Sequence, residues 1–143
     1  MKRFLARTRA RGVAAIEFAL VAMLFCILLF GMIDYGWYFF VDLVSTNAVR
    51  EGARAATTIA GPCPNTAALS AGDAAIRNYF SAALPRYTPS ITSTCTTIAG
   101  EPRFQFVLQV DFAPVSGLTI VPMPAGANGA TRVRTVAVMR GVP

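Results

Sequence analysis

At 143 residues the chain is long enough for one small domain and a membrane segment, and a hydrophobic content of 55% is too high for an ordinary soluble domain. The net charge of +6 does not point to nucleic acid. Lys2, Arg3, Arg7, Arg9 and Arg11 carry five of the thirteen basic groups, and the rest of the chain is nearly neutral, with no basic patch and interleaved aromatics to follow a phosphate backbone.

The complete lack of histidine removes Ser-His-Asp and Cys-His catalysis and His-ligated metal sites, and neither a phosphate-binding loop nor a CxxC pair occurs. Neither an enzyme nor a cofactor or metal is therefore expected. A hydrolase would have to draw on the few acids of the C-terminal part, Asp73, Glu101 and Asp111, and would need two of them to converge.

In chain order, the five basic residues precede an apolar run from Val13 to Ile33 in which Glu17 is the only charged residue. At 1.5 Å per residue this run is about 31 Å long as a helix, the thickness of a bilayer core. A secretory signal would have a shorter apolar core and a small-residue cleavage site. Here Asp34-Tyr35-Gly36-Trp37-Tyr38-Phe39-Phe40 follows, and its aromatics read as an interfacial belt. The run predicts a transmembrane helix over 13–33, with the basic leader on the cytoplasmic side and the remainder facing outward. Cys26 lies inside it behind Phe25, where a lipoprotein signal would need a small residue, so it reads as a buried small hydrophobe. Glu17 has two readings: a carboxylate snorkelling to the surface, or one neutralised by a partner. A buried charge is costly, about 2.5–3.5 kcal/mol for Asp, Lys or Arg at a helix centre.

No proline occurs from Tyr38 to Ile59, and Leu43, Ala48, Val49, Ala53 and Ala56 recur at helical spacing. The helix is therefore expected to continue outside the membrane as a stalk over 34–60, ended by Gly61-Pro62. Arg50, Glu51 and Arg54 form either a solvated face or a partner contact. A second helix is predicted in NTAALSAGDAAIRNYFSAAL, with Leu69, Ile76, Phe80 and Leu84 on one side and Pro85 as its stop.

From about Thr88 the pattern becomes that of strands. RFQFVLQVDF alternates Phe104, Phe106, Leu108, Val110 and Phe112 with polar residues. TRVRTVAVMRG is a second strand, and SITSTCTTI a third, joined to the Phe-rich strand by an A-G-E-P turn. The intervening loop, 113–130, is either a partner surface or mobile filler. Cys63 and Cys95 are the only cysteines outside the span, and an outward location predicts a disulfide between them, with a free reactive pair as the alternative. The expected architecture is α+β: a long N-terminal transmembrane and stalk helix, then a small outward head over 61–143 with one helix packed on an antiparallel sheet.

RGVAAIEFALVAMLF resembles the class III signal of type IV pilins and pseudopilins, and GMIDYGWYFFVDLVSTNAVREGARAA is similar to the TadE-like family of minor pseudopilins from tight-adherence (Flp-type) pilus systems. The resemblance covers roughly residues 10–58. It rests on Gly12 before Val13, on Glu17-Phe18 at the fifth and sixth positions of a chain starting at Val13, on Asp34 and Gly36 in the Asp-aromatic-Gly step, and on Arg50, Glu51, Gly52 and Arg54 in the R-E-G-A-R stretch. Many members carry proline a few residues after Glu-Phe; here Ala22-Met23 stands instead, and no proline kink is implied.

The resemblance implies a cleaved leader over 1–12, with a prepilin peptidase cutting between Gly12 and Val13. It also implies pairing of Glu17 with the N-terminal amine of a neighbouring subunit, and a pilin-like head. Other pilins or pseudopilins, an inner-membrane assembly platform with its ATPase, and membrane lipid are the implied partners. Roles in pilus assembly, adhesion and biofilm formation follow from the same likeness. The competing expectation is an uncleaved, single-pass anchored protein whose periplasmic head binds a ligand.

Overall fold

A computed structural model describes residues 2–117, 122–126 and 130–141. One helix, α1 (Lys2–Thr57), runs from the leader through the apolar stretch and into the head. Its 56 residues correspond to about 84 Å at 1.5 Å per residue. No proline interrupts it, which agrees with the missing family kink. From Gly12 to Ile33 its side chains are exposed or only half-buried, and the apolar stretch is long enough to cross a membrane.

The helix stops through its own threonines. Thr57 Oγ1 donates to Arg54 O (2.8 Å) and Thr58 Oγ1 to Ala55 O (2.7 Å), satisfying carbonyls that a helix end leaves unpaired. The backbone then tightens, with Ile59 N–H donating to Ala56 O, and Gly61 takes φ +142°, which favours glycine. The second helix, α2 (Thr66–Ala83), starts at Asn65, whose Oδ1 accepts from Ala68 N–H at 3.0 Å.

Three strands follow: β1 (Ser90–Ile98), β2 (Glu101–Phe112) and β3 (Thr131–Arg140), an antiparallel meander in the order β1-β2-β3. Ile98 pairs with Glu101, so Ala99-Gly100 is a two-residue loop. Both residues have positive φ (53° and 82°), as a type I′ hairpin turn requires. Phe104, Phe106, Leu108, Val110 and Phe112 are all buried along one face of β2, as their alternation predicts. With Val133 they pack against Val41, Val44, Ala48, Val49, Ala53 and Ala56 of α1 and Ile76 and Phe80 of α2. This is an α+β, pilin-like fold: a long helix, a shorter one and a three-stranded sheet around a single core.

Two details depart from the sequence expectation. Leu43 was expected on the core face but is 59% exposed; Val41, Val44 and Ser45 take its place, because the buried stripe is rotated toward the sheet by Val41. The aromatic belt is also divided. Phe39 and Phe40 are exposed, whereas Trp37 and Tyr38 pack against the core, and the Tyr38 ring lies 6.5 Å from that of Phe112.

Candidate functional site: the anchor helix and the membrane boundary

Gly12, Val13, Glu17 and Phe18 lie on the bare part of α1, and Val13 and Phe18 are 66% and 75% exposed. Val13 and Glu17 are one turn apart, so a carboxylate and the residue that would become the N-terminus share one helix face. Among the described residues nothing from the head packs on that face. A Cβ at Gly12 meets no atom within 4 Å.

Directly after the apolar stretch comes Asp34, which is 3% exposed. Its Oδ1 accepts the backbone N–H of Ser116 at 2.9 Å, and its Oδ2 accepts the Ser116 hydroxyl. One residue further, the Tyr35 hydroxyl donates to Pro122 O at 3.3 Å. The loop after β2 is therefore strapped to the turn of α1 that follows the apolar stretch. Further along, Thr131 Oγ1 lies 3.6 Å from Met123 Sδ, and Arg132 N–H donates to Pro124 O at 2.8 Å. In its described parts this loop is tied to α1 at one end and to β3 at the other. Residues 118–121 and 127–129 lie outside the described residues.

The remaining motif residues separate by role. Gly36 is exposed and a Cβ there would meet nothing, so packing within the chain does not demand glycine. Gly52 is buried: its Cβ would lie 2.3 Å from Ile76 Cγ1 and 2.8 Å from Gly72 O on α2. Arg50, Glu51 and Arg54 are exposed and form no ion pair among the described residues.

Cys63 and Cys95 form a disulfide with a Cα–Cα distance of 5.6 Å, joining the loop between the helices to β1. Cys26 is free and exposed on the apolar stretch.

The three acids of the head do not converge. Glu101 and Asp111 stand at opposite ends of β2, about 33 Å apart at the strand rise, and pair with Arg140 and Arg132 respectively. Asp73 accepts from Ser93 Oγ at 3.2 Å. The Arg132 guanidinium is held above its ordinary value by its hydrogen bond to Asp111; desolvation opposes the rise and the Asp111 charge adds to it.

Sequence reasoning missed Ser116, Gly72 and Trp37 as contributors. Gly72 alone carried a signal, as an isolated glycine within a helical pattern.

An exposed apolar helix, long enough to cross a membrane, that becomes the spine of a small α+β head defines the class: a pilin-like fold with a candidate membrane anchor. Residues 12–54 match the family model described as TadE-like protein, so this stretch is a TadE-like domain and associates the chain with tight-adherence pili. That family is a structural pilus component. No curated protein and no solved structure matches the chain.

Proposed function

We propose that the chain is a minor pseudopilin of a tight-adherence pilus, anchored in the bacterial inner membrane over residues 13–33 with its head in the periplasm. A prepilin peptidase removes residues 1–12, cutting between Gly12 and Val13. The new ammonium on Val13 and the Glu17 carboxylate then act across subunits, each compensating a charge that is costly alone in a low dielectric, and so set axial register. Phe18 and the exposed apolar residues around it pack among the helices of other pilins on the assembly platform. The head, displayed outward on the stalk over 34–60, serves assembly, adhesion and biofilm formation.

The observation that carries this reading is the bare α1 face holding Val13 and Glu17 one turn apart, on the same helix that forms the head's core. The test is the N-terminus of the protein from cell membranes, with and without an active prepilin peptidase. A chain starting at Val13 only when the peptidase is active is the expected result. A chain retaining its leader in both cases would sink the proposal and leave an uncleaved, anchored binding module.

A further inference from the structure

The β1–β2 turn decides which backbone groups β1 directs outward. Ile98 and Glu101 flank its two-residue loop as a hydrogen-bonded pair, and every second pair from there to Ser90 and Gln109 is of the same kind. Ile91, Ser93, Cys95 and Thr97 therefore turn their N–H and C=O groups away from β2. The same alternation applies to β3. Gly141 N–H donates to Pro102 O, so Arg134, Val136, Val138 and Arg140 turn their backbone groups away from β2. Arg132 has the same phase, because its N–H leaves the sheet to reach Pro124 O. The sheet thus has an outward row of donors and acceptors on each side, and no backbone hydrogen bond among the described residues uses either row.

We propose that the head pairs with a second copy of itself, the β3 edge of one chain lying parallel to the β1 edge of the next, so that the sheet continues across subunits.

Direction, charge and the placement of α1 select this pairing. Both β1 and β3 run antiparallel to β2 and hence parallel to each other. A copy displaced sideways without reversal brings the two edges together as a parallel pair. β1 is suited to such an addition. Over nine residues it has no proline and no charge, and its register with β2 is unbroken by a bulge, so none of the usual devices blunts it.

The two-fold alternatives fare worse. Antiparallel pairing of β3 with its own copy about Val136 would set Arg132 opposite Arg140, and like charges directly opposed are destabilising. Antiparallel pairing of β1 with its own copy needs a two-fold axis perpendicular to the sheet. α1 lies flat on that sheet through Val41 to Ala56, so the axis would turn one α1 end for end. Two chains anchored in one bilayer cannot adopt that arrangement. This step rests on the proposed span over 13–33. Sideways displacement keeps the α1 helices parallel and leaves a free edge at each end, a heterologous contact open to further copies.

The test uses the full chain, made without a prepilin peptidase, with Cys26→Ala removing the free thiol, in phosphatidylcholine vesicles. Two differently tagged versions carry Thr94→Cys in the middle of β1 or Val136→Cys in the middle of β3, both exposed on the outer face of the sheet. A short bis-maleimide is expected to give a covalent dimer from the mixture that neither version gives alone. Thr97→Pro and Val138→Pro each delete one outward N–H and spare the ladder with β2. Each should lower the mixed yield roughly threefold or more while the head still melts cooperatively.

Self-linking of the Thr94→Cys version would mean a two-fold β1 contact, and equal yields from mixed and single samples would mean random collision. No dimer from the mixture, or a yield unmoved in both proline variants, would mean that the edges stay unpaired. Each of these results overturns the proposal. Flotation with the vesicles reads the anchor separately, and the cross-link does not depend on cleavage after Gly12, so failure of the edge contact is told apart from failure of the pseudopilin reading.

Discussion

Gly52 of α1 and Gly72 of α2 face each other where the two helices cross, and each would drive an added Cβ to within 3 Å of the other's carbonyl oxygen. The obstacle is backbone on both sides, so no rotamer change relieves it. Phe106 closes the crossing from the sheet: its Cζ would lie 2.3 Å from a Cβ on Gly72. The glycine of the R-E-G-A-R stretch is thus a packing requirement of the head.

Gly52→Ala and Gly72→Ala are each expected to destabilise the head by about 1–3 kcal/mol, the range for overpacked cores. For a domain near 100 residues each kcal/mol lowers the melting temperature by roughly 4–8 °C, which thermal unfolding in detergent would read. Gly36→Ala serves as the control and is expected to leave the melting temperature where it was. A Gly52→Ala protein as stable as the parent would remove the close crossing.

Asp34 is expected to matter through Ser116. Hydrogen bonds to a charged acceptor contribute about 1.5–3 kcal/mol, so Asp34→Ala should free the loop after β2 and speed amide exchange at Ser116. In a double-mutant cycle Asp34→Ala and Ser116→Ala should be non-additive, because the second substitution removes a partner already lost. Additive effects would mean that the strap contributes no coupling.

The disulfide closes a loop with a sequence separation of 32, and chain entropy gives it about 3–4 kcal/mol of stabilisation. A Cys63→Ala/Cys95→Ala chain is expected to unfold at a correspondingly lower denaturant concentration. Reducing agent should act on the parent and leave the double variant unaffected.

Ala99 holds φ +53° in the β1–β2 turn, a region that favours Asn and Gly. Ala99→Asn, which creates the preferred Asn-Gly pair, is expected to stabilise the hairpin by about 0.4–1 kcal/mol. Gly100→Ala should act in the opposite direction. Denaturant midpoints compared at equal slope would read both.

The Arg132–Asp111 pair gives a sign for alkaline pH. A base whose folded pKa is raised contributes stability that is fully present below its unfolded value and is lost as pH climbs through the folded one. For Arg132 that window lies wholly above the ordinary arginine range, so unfolding followed from neutral pH to pH 10 should show no loss traceable to this pair, with Arg132→Gln and parent curves running parallel. Curves that converge before pH 10 would refute the assignment.

Much of the head could be read from the sequence because its signals are local. The alternation of Phe104, Phe106, Leu108, Val110 and Phe112 specified a buried strand face, and all five are buried. The spacing of Ile76, Phe80 and Leu84 likewise placed one side of α2 in the core. What was not legible depends on contacts between distant segments. Ser116 lies 82 residues from Asp34, and no periodicity encodes a serine that reaches back to a helix. Trp37 read as part of an interfacial belt, and only the packing of the turn at Pro85 showed its ring partly enclosed by the head. Leu43 misled because several rotations of an apolar stripe fit a helix rich in alanine and valine, and the sheet selects among them.

Because α1 is one unbroken helix from the leader to Thr57, the head has no swivel relative to the anchor. The azimuth of the sheet about the helix axis is locked in phase with Glu17. Inserting one residue between Glu17 and Asp34 would turn the head by about 100° and raise it by about 1.5 Å. Inserting seven would restore the azimuth to within about 20° while lifting the head by roughly two turns. The chain is built as a key whose bit and teeth are cut on a single shaft, so a neighbour engaging Glu17 would meet the head at one fixed azimuth.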